Sequence, residues 1–206
     1  KKILYKMWSN IGKNIGEFIH LKEFNPYLSN HTDIVGENYL EAAIKNSKKN
    51  KRGVIFFAAH LANWEMGPLS LTKKNFRPLC VYRKSNNIYL NNIIQNARIN
   101  IADYVPKGDV GAKKIFSSLR KGKPVAILMD QKLNEGISIN FLGTPAFTAT
   151  AIAELAIRLN TDIIPVRFER KGTMSFRVTF YNKLEKPSKS LPHEKKVKNI
   201  IRTTNK

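Results

Sequence analysis

The chain has 206 residues, enough for one domain with a sizeable core. Its single cysteine, Cys80, excludes an intramolecular disulfide framework, and no run of 18 apolar residues is present that could span a membrane. The 36 Lys and Arg residues outnumber the 15 Asp and Glu, and the net charge of +21 indicates an anionic partner: nucleic acid, an acidic protein or an anionic membrane.

Residues 1–25 have an amphipathic and basic pattern. Apolar residues that include Ile3, Trp8, Ile15 and Ile19 recur at helical spacing, with lysines on the other side. The preferred interpretation is that the apolar face packs on the domain. The alternative is a membrane-surface helix with Trp8 at the level of the lipid headgroups, and both hold if one face docks while the lysines face lipid.

Beyond residue 25, short apolar runs alternate with helical patterns. Strands are predicted at 30–36 (or a turn there), 54–59, 77–82, near 104, at 124–129, 137–141, 163–170 and 175–181. Helices are predicted at 38–48, 63–73, 86–100, 110–121, 148–159 and 193–203. This alternation favours an α/β fold with a mostly parallel central sheet flanked by helices and antiparallel strands at one edge.

The segment 53–65 has the clearest chemical content. Its apolar run predicts a buried strand that delivers His60 to the carboxyl end, where open α/β sheets place their ligands. Asn63 can cap the following helix, and Glu65 would lie in its first turn. Because a turn separates them, His60 and Glu65 can meet, and a carboxylate against an imidazole makes the other ring nitrogen a better base. The alternative is structural, with His60 in a turn and Glu65 favouring the helix dipole.

Polar residues also follow two other predicted strands. Arg83 comes after the second strand, and Asp130 and Gln131 follow the strand at 124–129. In a parallel sheet these ends lie along one edge together with His60, as an active site on such a fold requires. Arg83 could hold a phosphate or an oxyanion, or be one surface cation among many. Asp130 could orient a second polar group or a bound sugar, or cap a turn.

Residues 141–150 mix apolar side chains, small residues and hydroxyls before a predicted helix N-terminus. They could line an apolar cleft whose end meets a charged group, or form an ordinary turn. Other motif classes are absent from the sequence: it has no GxGxxG, no GxxxxGK[ST], no zinc-type Cys/His spacing and no GxSxG elbow.

Several motifs together resemble the lipid A biosynthesis acyltransferases. These form the lauroyl/myristoyl (late) acyltransferase family within the His-x4-Asp/Glu glycerolipid acyltransferase group. The most specific match is His60-Leu-Ala-Asn-Trp-Glu65. The others follow in family order: Met7-Trp8-x-Asn10-x-Gly12, Tyr82-Arg83, Asp130-Gln131 and Phe141-x-Gly-x-Pro145-Ala-x-Thr148.

The resemblance implies a glycerol-3-phosphate acyltransferase-like fold and an acyl transfer reaction. The donor would be an acyl carrier protein thioester, and the acceptor a hydroxyl of a lipid A precursor, a phosphorylated glucosamine disaccharide. It implies that His60 is the general base supported by Glu65, without a metal or a cofactor. The residues expected to bind substrate are Asn63, Arg83, Asp130, Gln131 and Thr148.

The similarity covers roughly residues 5–185. We expect a single acyltransferase domain over 1–206 that lacks the family's N-terminal membrane anchor and C-terminal end. The implied location is the cytoplasmic face of a bacterial inner membrane, either peripheral or anchored by a missing N-terminal helix. Its partners there would be acyl carrier protein, an anionic lipid and the membrane surface, and not nucleic acid. The alternatives are an acyltransferase on a lysophospholipid or phosphatidylinositol mannoside, and a basic nucleic-acid-binding domain.

Overall fold

The computed structural model describes residues 2–21, 24–28, 30–131 and 136–204, and these residues alternate between strands and helices. The strands are β1 (Thr32–Val35), β2 (Val54–Ala58), β3 (Leu79–Tyr82), β4 (Asp103–Pro106), β5 (Val125–Leu128), β6 (Ile137–Phe141), β7 (Thr144–Thr148), β8 (Asp162–Gly172) and β9 (Ser175–Phe180). The helices are α1 (Lys2–Phe18), α2 (Glu37–Asn50), α3 (Met66–Lys73), α4 (Ile88–Arg98), α5 (Asp109–Arg120), α6 (Ala151–Leu159) and α7 (His193–Thr204).

The central sheet has seven strands in the order β1-β9-β8-β2-β5-β3-β4. The pairs from β8 to β4 are parallel, β9 is antiparallel to β8, and β1 is parallel to β9. A separate antiparallel pair is formed by β6 and β7. The predicted fold, a mostly parallel sheet flanked by helices with antiparallel pairing toward one edge, is therefore confirmed.

The two faces of the sheet contribute to two apolar clusters. Along β2, Val54 and Phe56 belong to one cluster while Ile55 and Phe57 belong to the other, as the two-residue period of a strand requires. Helices α2 and α3 contribute to the first cluster, and α5, α6 and α7 to the second. Burial on both faces explains why β2 is a continuous apolar run rather than an alternating one.

The start of β2 is docked closely against the end of α5. The Gly53 N–H donates to the Leu119 carbonyl at 2.9 Å. A Cβ atom at residue 53 would lie 2.6 Å from both the Leu119 Cα and the Lys123 carbonyl oxygen, which is too close for any side chain. Glycine at this position therefore sets where the strand that carries His60 at its far end enters the sheet.

Some boundaries differ from the predicted ones. The helix predicted at 63–73 begins only at Met66, and the helix predicted at 148–159 begins at Ala151. The reason for the second difference is that residues 144–148 form β7, an additional strand that pairs with β6. Pro145 is tolerated there because β7 belongs to a two-stranded sheet, in which one side of each strand needs no sheet partner.

Helix α1 docks mainly through polar residues rather than through the predicted apolar face. Of the amphipathic region at 1–25, residues 1, 22 and 23 lie outside the described residues. The apolar side chains of Ile3, Trp8 and Ile15 are 84%, 65% and 70% exposed, whereas the buried residues of the helix are Asn14 and Glu17. Apolar packing is therefore limited to the end of the region, where Phe18 packs against the core and Leu21 is buried. The rest of the helix docks through polar side chains that have polar partners in the domain.

None of the helices within the described ranges combines the length and the apolar character needed to cross a bilayer.

Candidate active site

The pairing of β2 with β5 brings His60 and Asp130 together. Ala58 is the register partner of Leu128, so the residues two positions further on face each other beyond the carboxyl ends of the strands. The His60 Nδ1 lies 2.6 Å from the Asp130 Oδ1, and the His60 backbone N–H donates to the Oδ2 at 2.9 Å. Both carboxylate oxygens of Asp130 are thus engaged by one residue, which fixes the imidazole ring against the carboxylate.

This arrangement determines the protonation of the pair. Burial of the Asp130 carboxyl opposes its ionisation, but the hydrogen bonds from the ring and backbone of His60 outweigh that effect and lower the pKa of Asp130. An ionised carboxylate only accepts hydrogen bonds, so the His60 Nδ1 carries the proton. Within the described ranges no group bonds to Nε2, and the His60 side chain is 32% exposed, so a bound group can reach this nitrogen. The site can therefore remove a proton from a group bound in front of His60.

Local contacts hold the imidazole in addition to the carboxylate. The Leu61 N–H donates to the Ala59 carbonyl at 2.7 Å, which places His60 at the centre of a three-residue turn. The Trp64 ring packs edge-on against the imidazole, with ring centroids 5.0 Å apart. His60 is consequently held at its backbone N–H and at its ring Nδ1, and its ring packs against Trp64.

Glu65 does not support His60 in the way predicted. Its carboxylate is buried, where the Tyr104 hydroxyl donates to Oε2 at 2.6 Å and the Arg98 guanidinium donates to Oε1 from Nε at 3.0 Å and also from Nη2. Among the described residues, neither a hydrogen bond nor an ion pair joins Glu65 to His60. The predicted contact is therefore wrong, because Glu65 faces partners from α4 and β4, while Asp130, just beyond β5, supplies the carboxylate for His60.

In the cluster of Glu65, Arg98 and Tyr104, the charge of the carboxylate is balanced by the guanidinium. Burial disfavours the charge on Arg98, but the adjacent Glu65 carboxylate outweighs this and raises the pKa of the guanidinium. Burial and the same carboxylate raise the pKa of Tyr104, which keeps its hydroxyl protonated and able to donate. The cluster ties the start of α3 to α4 and β4 and so anchors one end of the segment that carries His60.

Asn63 is part of the framework of this segment rather than a cap of α3. It is buried, and its Oδ1 accepts from the Glu65 N–H at 3.2 Å, a turn between residues two apart. Its Nδ2 donates to the Glu17 Oε2 of α1 at 2.9 Å. The helix it was predicted to cap starts at Met66, and both ends of the Asn63 amide contact protein groups. Its role in binding substrate stays a prediction.

Three more residues are predicted to bind substrate: Arg83, Gln131 and Thr148. Arg83 follows β3 at the same edge of the sheet and is exposed, with neither a hydrogen bond nor an ion pair to any residue in the described ranges. Gln131 is exposed directly after Asp130. Thr148 is buried at the end of β7, where Ile137 is its register partner. Substrate binding by these three residues stays a prediction.

Two residues that contact Glu65 belong to none of the sequence motifs and were not predicted as part of the site. Arg98 and Tyr104 contact Glu65 across 33 and 39 positions of the chain. The one indication available from sequence is that a carboxylate buried among apolar residues needs a cation or hydroxyl partner, which does not identify that partner. Within the described ranges, no cluster of three or more His, Cys, Asp or Glu side chains is arranged to hold a metal ion.

Comparison with known proteins assigns the family. No protein of curated function matches the chain. The sequence profile of the family described as bacterial lipid A biosynthesis acyltransferase matches residues 1–206, which is the whole chain. The members of that family are acyltransferases that act on lipid A, and the resemblance in the sequence motifs is thereby confirmed. The chain belongs to the bacterial lipid A biosynthesis acyltransferases.

Proposed function

We propose that this protein transfers a fatty acyl chain from an acyl carrier protein thioester to a hydroxyl of a lipid A precursor, with His60 as the general base. The observation that carries the proposal is the His60–Asp130 contact at the carboxyl edge of the sheet, 2.6 Å from Nδ1 to Oδ1. Membership of the family supports acyl transfer to lipid A. The donor, the acceptor hydroxyl and the roles of individual residues are the new elements of the proposal.

The reaction follows from the protonation of the pair. The Nε2 of His60 removes the proton of the acceptor hydroxyl as its oxygen attacks the thioester carbonyl carbon. The tetrahedral intermediate collapses with cleavage of the carbon–sulfur bond, and the proton on Nε2 passes to the leaving thiolate. The products are an ester on the acceptor and a free thiol on the carrier, so no oxidant or reductant is needed. Asp130 stays ionised and stabilises the transient imidazolium.

Asp130 is a positioning residue in this scheme, and Glu65 has a structural role. Asp130 touches His60 through both carboxylate oxygens and acts on the reaction only through the orientation and charge of the imidazole. Glu65 is paired with Arg98 and Tyr104 on the buried side of the segment. This replaces the scheme in which Glu65 supports the base directly, and it assigns different consequences to the loss of each carboxylate.

Arg83 is proposed to bind a phosphate of the acceptor. It is exposed at the edge that carries His60, and within the described ranges no carboxylate neutralises it. An unpaired guanidinium presents a planar fork of donors that matches phosphate geometry. The phosphate of a phosphorylated disaccharide does not take part in the bond changes, so Arg83 would bind it equally in the ground state and in the transition state.

We further propose that the protein works at the cytoplasmic face of a bacterial inner membrane, with α1 on the membrane surface. The exposed apolar side chains of Leu4, Trp8 and Ile15 lie within about 40° of one another around the helix axis and form one side of α1. The net charge of +21 also suits an acidic carrier protein as the donor.

The central test is an acyl transfer assay with purified protein and a labelled acyl carrier protein thioester. We expect ester formation on a lipid A precursor and none on a lysophospholipid offered at the same concentration. Removing a general base costs about 10²–10⁴ in rate, so His60→Ala should lower kcat by that factor. Transfer to the lysophospholipid alone, or full activity of His60→Ala, would overturn the proposal.

A matched pair of carboxylate variants separates positioning from stability. Asp130→Asn removes the anionic partner of His60, so we expect kcat to fall about 100-fold or more, with KM and the thermal midpoint little changed. Glu65→Gln breaks a buried ion pair, so we expect a loss of about 3–5 kcal/mol in the free energy of unfolding. Activity assays and thermal unfolding measure both effects. The opposite outcome, a purely catalytic loss in Glu65→Gln and none in Asp130→Asn, would restore the scheme with Glu65 as the support.

The role of Arg83 is tested by separating kcat from KM. Loss of a contact made equally in the ground and transition states raises KM and leaves kcat unchanged. Arg83→Ala should therefore raise KM for the lipid A precursor about 10-fold or more, while Lys84→Ala, at the adjacent residue, should have little effect. A fall in kcat of about 100-fold with unchanged KM would place Arg83 at the oxyanion instead.

Membrane docking by α1 is tested with vesicles of anionic phospholipid. Trp8 fluorescence, taken as the difference between wild type and Trp8→Phe, should shift to shorter wavelength when vesicles are added. Ile15→Asp should weaken vesicle binding about 10-fold or more, because it places a charge on the apolar side of the helix. Val110→Asp, at a residue of α5 that is 61% exposed, is the control and should bind as wild type does. Equal binding by Ile15→Asp and wild type would refute the assignment.

A further inference from the structure

We infer that α1 is a positioning element of the active site, which holds the turn that carries His60 through Asn10 and Asn14. This inference rests on the proposed function, because it assigns to the helix a role in placing the general base. It goes beyond that function in naming residues that touch neither His60 nor Asp130 and that act through the backbone of Ala62.

The contact is made to a single carbonyl oxygen. Asn10 donates from Nδ2 to the Ala62 oxygen at 2.9 Å, and Asn14 donates from Nδ2 to the same oxygen at 2.7 Å. Asn10 and Asn14 are one helical turn apart, so their side chains project from the same side of α1. A carbonyl oxygen has two lone pairs, and both are used here. The Ala62 carbonyl is therefore fixed in direction by the helix.

Arg170 of β8 fixes the orientation of both amides. Its Nε donates to the Asn10 Oδ1 at 3.1 Å, and its Nη2 donates to the Asn14 Oδ1 at 2.7 Å. A guanidinium only donates and a carbonyl only accepts, so each asparagine must turn its oxygen to Arg170 and its nitrogen to Ala62. Asparagine is the residue that satisfies both sides, because an aspartate has no donor for the carbonyl.

Glu17 completes the network and links it to the same turn a second time. It forms an ion pair with the Arg170 guanidinium, and its Oε2 accepts from the Asn63 Nδ2 at 2.9 Å. Asn14, Glu17 and Asn63 are buried, and the Arg170 side chain is 13% exposed. A buried network whose members satisfy one another is rigid. It fixes Ala62 and Asn63, the residues that follow the turn at His60 and that the network contacts.

The turn needs such support because of its backbone conformation. Ala62 has a φ of +47°, in the left-handed region that residues with a Cβ rarely adopt. It lies two residues after His60 and directly before Asn63. Asp130 holds the turn at the His60 N–H, and α1 holds it at the Ala62 carbonyl. Without the second support, relaxation of Ala62 would rotate the peptides between it and His60 and move the imidazole from its place.

The decisive variant is Asn14→Asp. It keeps the shape of the side chain and the acceptor for Arg170, but it replaces the donor to Ala62 by a carboxylate that repels the carbonyl. We expect kcat for acyl transfer to fall about 10-fold or more, KM to change less than 2-fold, and amide hydrogen exchange across residues 61–65 to speed up about 10-fold or more. Asn46→Asp makes the same charge change at an exposed position of α2 and should leave all three unchanged.

If α1 had only a structural role and did not position His60, Asn14→Asp would change stability and not kcat or exchange. If α1 only docks on the domain, Asn14→Asp lowers the thermal midpoint while the folded enzyme keeps its kcat and its exchange rates at 61–65, and the inference is refuted. The exchange measurement does not require turnover. If the wild type shows no acyl transfer, the proposed function fails, while faster exchange at 61–65 in Asn14→Asp still supports the role of α1 and unchanged exchange still overturns it.

Discussion

The structure depends most on the parallel pairing of β2 with β5. Its register sets Ala58 against Leu128 and therefore places His60 against Asp130 where the two strands end. Neither residue could reach the other from a different strand order, because adjacent strands are the ones whose carboxyl ends are neighbours. The sheet thus holds the imidazole through one nitrogen, while no described residue bonds to the other, and this is the arrangement that the proposed general base requires.

Around this contact, two ion pairs with buried carboxylates hold the segment that follows His60 in place. Glu65 with Arg98 anchors the end of the segment to α4 and β4, and Glu17 with Arg170 anchors its middle to α1 and β8. Buried ion pairs add little net stability, but breaking one partner is strongly destabilising. Their effect here is to give an irregular segment, which includes a left-handed Ala62, one defined conformation.

Much of this architecture could be predicted from the sequence, because apolar runs and helical periodicity report which segments are buried. The strand before His60, the position of Asp130 after a second strand and their common edge all follow from those patterns. The sequence does not identify the carboxylate that contacts His60. Local spacing favours Glu65, five residues away, whereas the contact with Asp130 depends on strand order across 70 positions.

The polar docking of α1 is not predicted, for the same reason. Its apolar stripe is visible in the sequence, while the partner of its polar side, Arg170, lies more than 150 positions away.

The most direct test of this account is the tautomer of His60 in the wild-type protein at neutral pH. Nitrogen-15 NMR of histidine-labelled protein distinguishes a protonated Nδ1 from a protonated Nε2, and loss of the signal in His60→Ala identifies the residue. The account predicts a proton on Nδ1, held by Asp130, and a free lone pair on Nε2. A proton on Nε2 with Nδ1 unprotonated would contradict it, because the nitrogen that faces the substrate could then not act as a base.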